Sequence, residues 1–442
     1  MAPNPPLQES SLLFSTPIFR ALKNNFKGDI VTPAHPDYEA AIQRWAKNAV
    51  RRAKVVAFVK DANDASRVVR YARESALPLA IRGGGHSPAG SSSSEGIVID
   101  LSRYVNECRV DPERKLAYVG GGAIWKTVDE TAIKHSLATV WWYSKPYRSL
   151  TLGGGYGWLA AAHGLAVDNL VQATMVLADG SIVTTSESEN SDLFWGIRGG
   201  GCNFGICMEF VLQLHEQRAS VYSGFLTYPA SLVDRVFQIT QQNGGKRIRI
   251  LAVWVILQAR GILVPFHNGP VEEGRKLFKE FLDLCPSDAT GEVPYEQMNS
   301  LQNSNFPHGR NYYFQGAIQN HYSAAAAKKA FERHSIPKDA MAFNLRGAES
   351  NIFSLAAWDD DSYEAALRGK EAAHAVTQSI SISEERPKAS SVMAYGNYLG
   401  DEKLSSERSL KVFGENYPCL QQLKKKYDPD MLFSKWFKIV PA

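Results

Sequence analysis

Apolar runs at Val55 to Val59, Leu77 to Ile81 and Ile97 to Leu101 each have the length of one buried strand. Between the first two, Ala65, Val68, Val69 and Ala72 recur at helical spacing behind Asp64, a residue type that caps helix N-termini. Pro78 sets the start of the second strand, which leads into the polar, glycine-rich stretch IRGGGHSPAG, Ile81 to Gly90. A further strand is expected over Lys115 to Val119 and a helix from Ile124 to His135. Asn169 to Thr185 reads as a hairpin around Asp179 and Gly180, a pair that favours the tight primed turn. Ser191 is placed to cap a short helix, Asp192 to Arg198. Beyond it Ile206, Met208, Phe210, Leu212 and Leu214 alternate as one buried face of a strand.

The pattern changes from about Ala219 to Met393. Strands are expected at Val221 to Leu226, Ile248 to Ala259 and Ile262 to His267. Gly269 to Leu284 carries Leu277, Phe278, Phe281 and Leu282 at helical spacing, and further helices fit Ala324 to Arg333 and Tyr363 to Ser379. Strands with covering helices, after a separate glycine-rich unit, predict an α+β protein whose second domain is an antiparallel sheet packed on helices. The expected division is 1–215, 216–393, and a return to the first domain over 394–442.

Four glycine triplets, at 83–85, 120–122, 153–155 and 199–201, punctuate the first part, and none follows. In the first, Gly83, Gly84 and Gly85 leave the backbone bare enough for its amides to approach a phosphate. Arg82 adds positive charge, Ser87 a hydroxyl and His86 a nucleophilic ring nitrogen. Alone, the stretch reads either as an anionic-cofactor loop or as a tight turn with an incidental histidine. Four triplets favour a long ligand threaded through one domain. The dinucleotide fingerprint GxGxxG is not met, since the sixth residue counted from Gly83 is Pro88 and from Gly153 is Trp158. No GxxxxGK phosphate loop is present either, so the expectation is a dinucleotide bound by another fold.

The 442 residues suffice for two or three domains, and a net charge of +4 with no dense basic face beyond Lys424 to Lys426 gives no footprint for nucleic acid or an anionic membrane. That lysine run reads as a solvated helix face. The cysteines, Cys108, Cys202, Cys207, Cys285 and Cys419, are odd in number and lack metal-ligand spacing, which argues against a disulfide framework and a zinc site. No secretory signal or membrane-spanning run is read, so a reducing, cytoplasmic setting is expected.

IRGGGHSPAG, IVIDLSRY, LTLGGGYGWLAAAHGLAVDNL, VLADGSIV, DLFWGIRGGGCNFGI, YGNYLGD and KKKYDPDMLF together resemble the berberine-bridge-enzyme-like flavin oxidases, within the superfamily of the vanillyl-alcohol-oxidase or p-cresol-methylhydroxylase fold. The match covers most of residues 50–215 and 390–434. The resemblance implies extended FAD, its pyrophosphate on backbone amides of the first loop and of the region of Gly153, Gly154, Gly155 and Gly157. It puts His86 at the family's covalent attachment position, where a neutral imidazole nitrogen can attack an electrophilic flavin tautomer. Asn169 and the segment Asn203 to Ile206, including Gly205 and Ile206, are implied to contact the adenine and ribose half or the ring edge. Tyr398, ending Tyr395-Gly396-Asn397-Tyr398, is implied to be the catalytic base by its match to several relatives; read from the residues alone, it is a buried tyrosine with its hydroxyl satisfied.

The chain departs from the family in two places. Where many members carry a second attachment cysteine, Trp142 or Ser144 stands, and Pro146, Arg148 and Ser149 replace glycines of a loop that governs oxygen access. Near the end Lys435 and Trp436 replace an Asn-Gln pair. The expected function is hydride removal from a small organic substrate of secondary metabolism, with molecular oxygen a candidate acceptor. The alternative is a redox-neutral cyclase on the same scaffold. Among middle-domain aromatics, Trp254, Tyr312, Tyr313, Phe353 and Trp358 are candidates for the core or for substrate contact.

Overall fold

The computed structural model describes residues 16–140, 151–232, 235–236, 238–239, 249–255, 260–284, 287–319, 340–342, 350–382 and 406–442. The first lobe comprises α1 (Pro17–Asn24), β1 (Asp29–Val31), α2 (Tyr38–Ile42), β2 (Val55–Phe58), α3 (Ala62–Glu74), β3 (Leu79–Arg82) and β4 (Ile97–Asp100). Its sheet runs β1-β2-β4-β3, with β2, β4 and β3 parallel and β1 antiparallel at the edge. Asp61, not Asp64, caps α3, by accepting from the Asp64 amide at 2.9 Å. Asp64 lies one turn further in and is fully buried, where it accepts the amides of Lys27, Gly28 and Lys60. It ties the entering chain to the sheet.

The second lobe holds β5 (Cys108–Asp111), β6 (Leu116–Gly120), α4 (Trp125–Ala132), β7 (Leu137–Ala138), α5 (Ala160–His163), β8 (Leu170–Val176), β9 (Ile182–Ser186), α6 (Ser191–Gly200), β10 (Ile206–Gln213) and β11 (His215–Glu216). Its main sheet is antiparallel, β5-β6-β10-β8-β9. β10 is central and covered on both sides, so the expectation of a single buried face is corrected. A register shift between Cys207 and Glu209 interrupts the alternation, and Ile206 and Met208 pack in the first lobe's core while Phe210 and Leu212 pack in the second. The Asp179–Gly180 hairpin is also wider than expected. Val176 pairs with Ile182 around a five-residue loop in which Gly180 alone has positive φ, at 81°.

Beyond these come β12 (Ser220–Pro229), β13 (Arg249–Val255), β14 (Arg260–Phe266), α7 (Val271–Leu277), α8 (Lys279–Leu282), β15 (Ser287–Pro294), β16 (Asn311–Gln319), β17 (Ser350–Trp358) and α9 (Tyr363–Ile382). They form antiparallel sheets β13-β14-β12-β15 and β16-β17, as the α+β expectation required. The helix expected at 324–333 lies outside the described residues.

The chain ends with α10 (Ser406–Phe413) and α11 (Tyr417–Tyr427), and α11 packs on α6. Lys424 corrects the solvated-face reading of the lysine run. It is fully buried, and its ammonium donates to the carboxylate of Asp428 (2.6 Å) and to the carbonyls of Asn203 (2.6 Å) and Phe433 (2.7 Å). Every one of its donors has an acceptor, the condition under which a buried charge is tolerated.

Candidate cofactor site

The glycine triplets separate according to where their amide hydrogens go. In the second, Gly120 donates to Glu107 O, Gly121 to Met208 O and Gly122 to Val105 O, at 2.7–2.9 Å. A Cβ at Gly121 or Gly122 would stand about 2 Å from the carbonyl oxygens of Cys207 or Leu101. These glycines let three backbone segments touch, and the idea that every triplet lines a ligand is corrected for this one. In the fourth, Gly199 and Gly201 both donate to Leu152 O.

The first triplet behaves differently. Gly83, Gly84, Gly85 and Ser87 donate their amides to no group among the described residues. They follow β3 directly, in a loop closed by Gly90 N to Ser87 O (3.1 Å) and Ser91 N to Ser87 Oγ (3.4 Å). Gly85 has φ +73°, a conformation that points successive amides into one concavity. A run of unsatisfied amides at a strand end fits a phosphate group.

Two arginine side chains lie against Gly85. Arg82 pairs with the fully buried Asp100 at 2.7 Å, and Asp100 also accepts from Ser102. Arg44 is 5% exposed and donates twice to Ser92 O, at 3.1 and 2.9 Å. Burial, and then the charge of Arg82 nearby, pull the Arg44 guanidinium down to about 9.

His86 is buried beside this loop. Its ring contacts the indole of Trp45, with centroids 5.6 Å apart, and the ring of His308, at 5.4 Å and perpendicular to it. Trp45 stacks flat on Tyr312 of β16, at 4.0 Å and 10°. Neither Trp45 nor His308 was legible as a site residue, because an isolated tryptophan in a weakly helical lead-in carries no motif.

The third triplet supports a neighbouring loop. Gly154 and Gly155 have positive φ, 121° and 82°, and their carbonyls accept from Val167 and Ala166. Gly153 is buried and Gly157 half-buried. The Asn169 side chain is fully engaged inside the chain. It donates to the carbonyls of His163 and Leu165 and pairs through Oδ1 with His215 Nε2 at 2.6 Å, so it holds the loop that seats the glycines. Gly205 enters β10 pressed against Val176 O, and Ile206 is core. Trp436 lies against Gly201, and packs edge-on with Phe413 and Phe437. It packs on the Gly201–Phe204 turn, at a position where the sequence leads one to expect a departure from the family. Tyr398 and residues 141–150 lie outside the described residues.

Among the described residues, no helix is long and apolar enough to cross a membrane. An α+β scaffold with an anion-receptive loop beside a buried histidine fits a phosphate-bearing cofactor held outside the GxGxxG fold. The family described as an FAD binding domain matches residues 53–186, and that described as berberine and berberine-like matches residues 394–435. The FAD-linked oxidoreductase pgmH of Aspergillus terreus is 32% identical over 95% of this chain and 95% of its own. The (R)-6-hydroxynicotine oxidase of Paenarthrobacter nicotinovorans is 34% identical over 48% of this chain and 46% of its own. The structure of 6-hydroxy-D-nicotine oxidase from Arthrobacter nicotinovorans superposes with a TM-score of 0.82 at 25% identity, covering 97% of this chain and all of that one. A glucooligosaccharide oxidase from Acremonium strictum, described with a 6-S-cysteinyl, 8α-N1-histidyl FAD, has the same fold at a TM-score of 0.78 and 20% identity, over 97% of this chain and 100% of its own. The chain belongs to the berberine-bridge-enzyme-like FAD-linked oxidoreductases. It is an enzyme, and FAD is its cofactor.

Proposed function

We propose that this protein removes hydride from a small organic molecule of secondary metabolism, with FAD joined through a single covalent bond at His86. The observation that carries the reading is the set of amides at Gly83, Gly84, Gly85 and Ser87 with no acceptor among the described residues, beside a buried imidazole. Arg82, Gly153, Gly154, Gly155, Gly157, Asn169, Gly205 and Ile206 complete the proposed cofactor set, most of them through the backbone they present or position. When bound, FAD supplies the two-electron acceptor for the substrate's hydride. Tyr398 is the proposed base for the accompanying proton; a phenol, with an ordinary pKa of about 10, needs nearby positive charge or hydrogen bonds to act at neutral pH. The match of residues 394–435 to the berberine-like family supports this assignment.

The relatives named for hydroxynicotine and glucooligosaccharide oxidation support a small-molecule substrate, with molecular oxygen as the candidate acceptor. The cysteines described are free, which supports work in the reducing cytoplasm, and no nucleic-acid or membrane partner is proposed. The proposed division is a flavin domain over 1–215 and 394–442, with a substrate domain over 216–393.

Acid precipitation followed by digestion tests the attachment: flavin is expected on the peptide bearing His86. Flavin in the supernatant, or on a cysteine peptide, refutes it. An anaerobic screen of small metabolites tests turnover, with substrate expected to bleach the oxidised flavin spectrum. Product formed while the flavin stays oxidised would move the protein to redox-neutral chemistry. Tyr398→Phe is expected to bind substrate and to slow bleaching by about a hundredfold or more, in the range of general-base losses; an unchanged stopped-flow rate removes Tyr398 from the chemistry.

A further inference from the structure

We infer that Trp45 is the positioning residue for covalent flavin attachment, clamping the His86 ring against His308, and that the clamp is assembled by the segment carrying β16. The inference rests on attachment at His86. Trp45 is 3% exposed and is held on every side. Its amide donates to Gly85 O (3.1 Å), its indole N–H to Phe306 O (3.1 Å), and its carbonyl accepts from Gly309 N (3.0 Å). The flat stack on Tyr312 and the packing of Phe314 fix the indole plane.

The neighbours of Trp45 repeat the arrangement. Lys47 N donates to Arg310 O, and the Asn48 side chain bonds both the N–H and the C=O of Tyr312, as a paired strand would. The same amide reaches Pro88 O on the glycine loop. Residues 44–48 are therefore bolted at once to the loop bearing His86 and to the strand and loop at 306–312.

A free imidazole turns about two side-chain torsions, and attachment requires one ring nitrogen to face the flavin methyl carbon. In that step the C–N bond forms as the methyl loses one proton and the ring N–H loses another. Two electrons pass into the flavin, and dioxygen removes them as hydrogen peroxide. The protein's contribution is orientation, since reacting atoms held in one geometry gain large effective concentrations. Ring contacts from Trp45 and His308 supply that constraint without themselves donating to a phosphate. Total FAD affinity and covalent attachment are thus set by different residues.

Wild type, Trp45→Ala, Trp45→Phe and His308→Ala are purified and incubated with FAD in air. Flavin retained after acid precipitation is followed with time, beside total flavin bound before it. Trp45→Ala is expected to bind FAD yet attach it about tenfold or more slowly, with Trp45→Phe recovering most of the rate and His308→Ala intermediate. Trp45→Ala with wild-type flavin content attaching at the wild-type rate overturns the inference. Should that variant not fold, His308→Ala decides, because His308 is exposed: attachment at the wild-type rate refutes the clamp. A wild type that releases all its flavin in acid refutes the attachment itself, a result distinct from failure of the clamp alone.

Discussion

Asp129 on α4 provides a measurable link between pH and the packing of α4 on the turn Tyr295–Ser300. Its carboxylate is 3% exposed and accepts from Asn299 Nδ2 at 2.6 Å, Asn299 lying on the 3-10 turn Tyr295–Ser300 beyond β15. No cation pairs with it among the described residues. Burial first, and then the charges of Glu296 and Glu130, raise its pKa from 3.8 to about 7, against the lowering effect of the Asn299 bond. Asn299 Oδ1 is buried and has no partner among the described residues, which a protonated carboxyl's O–H can satisfy. Because the folded state holds this proton more tightly than the unfolded chain, the associated stability is full below pH 3.8 and is lost as pH rises toward 7. The rise from 3.8 to about 7 corresponds to about 4 kcal/mol as an upper bound. Asp129→Asn keeps the shape and the amide acceptor, adds a permanent donor and cannot ionise. Urea unfolding of both holoproteins from pH 5 to 8 is the assay. The variant is expected to gain on wild type by up to about 1.4 kcal/mol per pH unit between pH 5 and 7, and then to hold its advantage. A difference that does not change with pH, or a variant less stable than wild type at pH 8, refutes the reasoning.

Lys424→Ala strands the Asp428 carboxylate in the core and is expected to cost about 3–5 kcal/mol, read as a fall in thermal midpoint. Lys424→Ala should also release flavin sooner on heating, since the same ammonium anchors Asn203 O beside Gly205. Gly201→Ala places a Cβ 2.2 Å from the Trp436 ring at a backbone φ of +66°, so stability is expected to drop by a few kcal/mol, about 1–3 from overpacking alone. Pairing it with Trp436→Leu should recover part of that loss, and strict additivity in the double-mutant cycle would show that the ring is not the obstacle.

Legibility followed the range of the interactions involved. The strands β2, β3, β4 and β10 and the hairpin β8–β9 were readable because burial writes itself into short apolar runs. β15, with the sequence SDATGEVP, has no such run; its pairing along its whole length with Ser220 to Thr227 of β12 makes it a strand, and that partner is remote in sequence. The α3 cap moved from Asp64 to Asp61 because Asp64 is claimed by three amides from outside the helix. Lys424 looked like its neighbours Lys425 and Lys426, and only the helical phase against Asn203 and Asp428 separates it from them. The loop Gly83 to Ser87 stood out in the sequence because its glycines, histidine and serine are adjacent in the chain. Trp45 did not, since its place is defined by Gly85, Phe306, Gly309 and Tyr312 together.

The triplets show why residue identity alone underdetermines function. Gly120, Gly121 and Gly122 are as bare of side chains as Gly83, Gly84 and Gly85, and each set adjoins a strand end. The former give all three amides to carbonyls of the chain and sit where any Cβ would strike backbone, so their role ends in packing. The latter donate to no group among the described residues, and the side chains of Arg82 and Arg44 lie against Gly85 while bonding Asp100, Ala41 O and Ser92 O. A buried arginine whose guanidinium is pulled down to about 9 is tolerated where it fixes a shape the protein uses. That shape is a row of donors flanking His86, and Trp45 ties it to β16 through the stack on Tyr312.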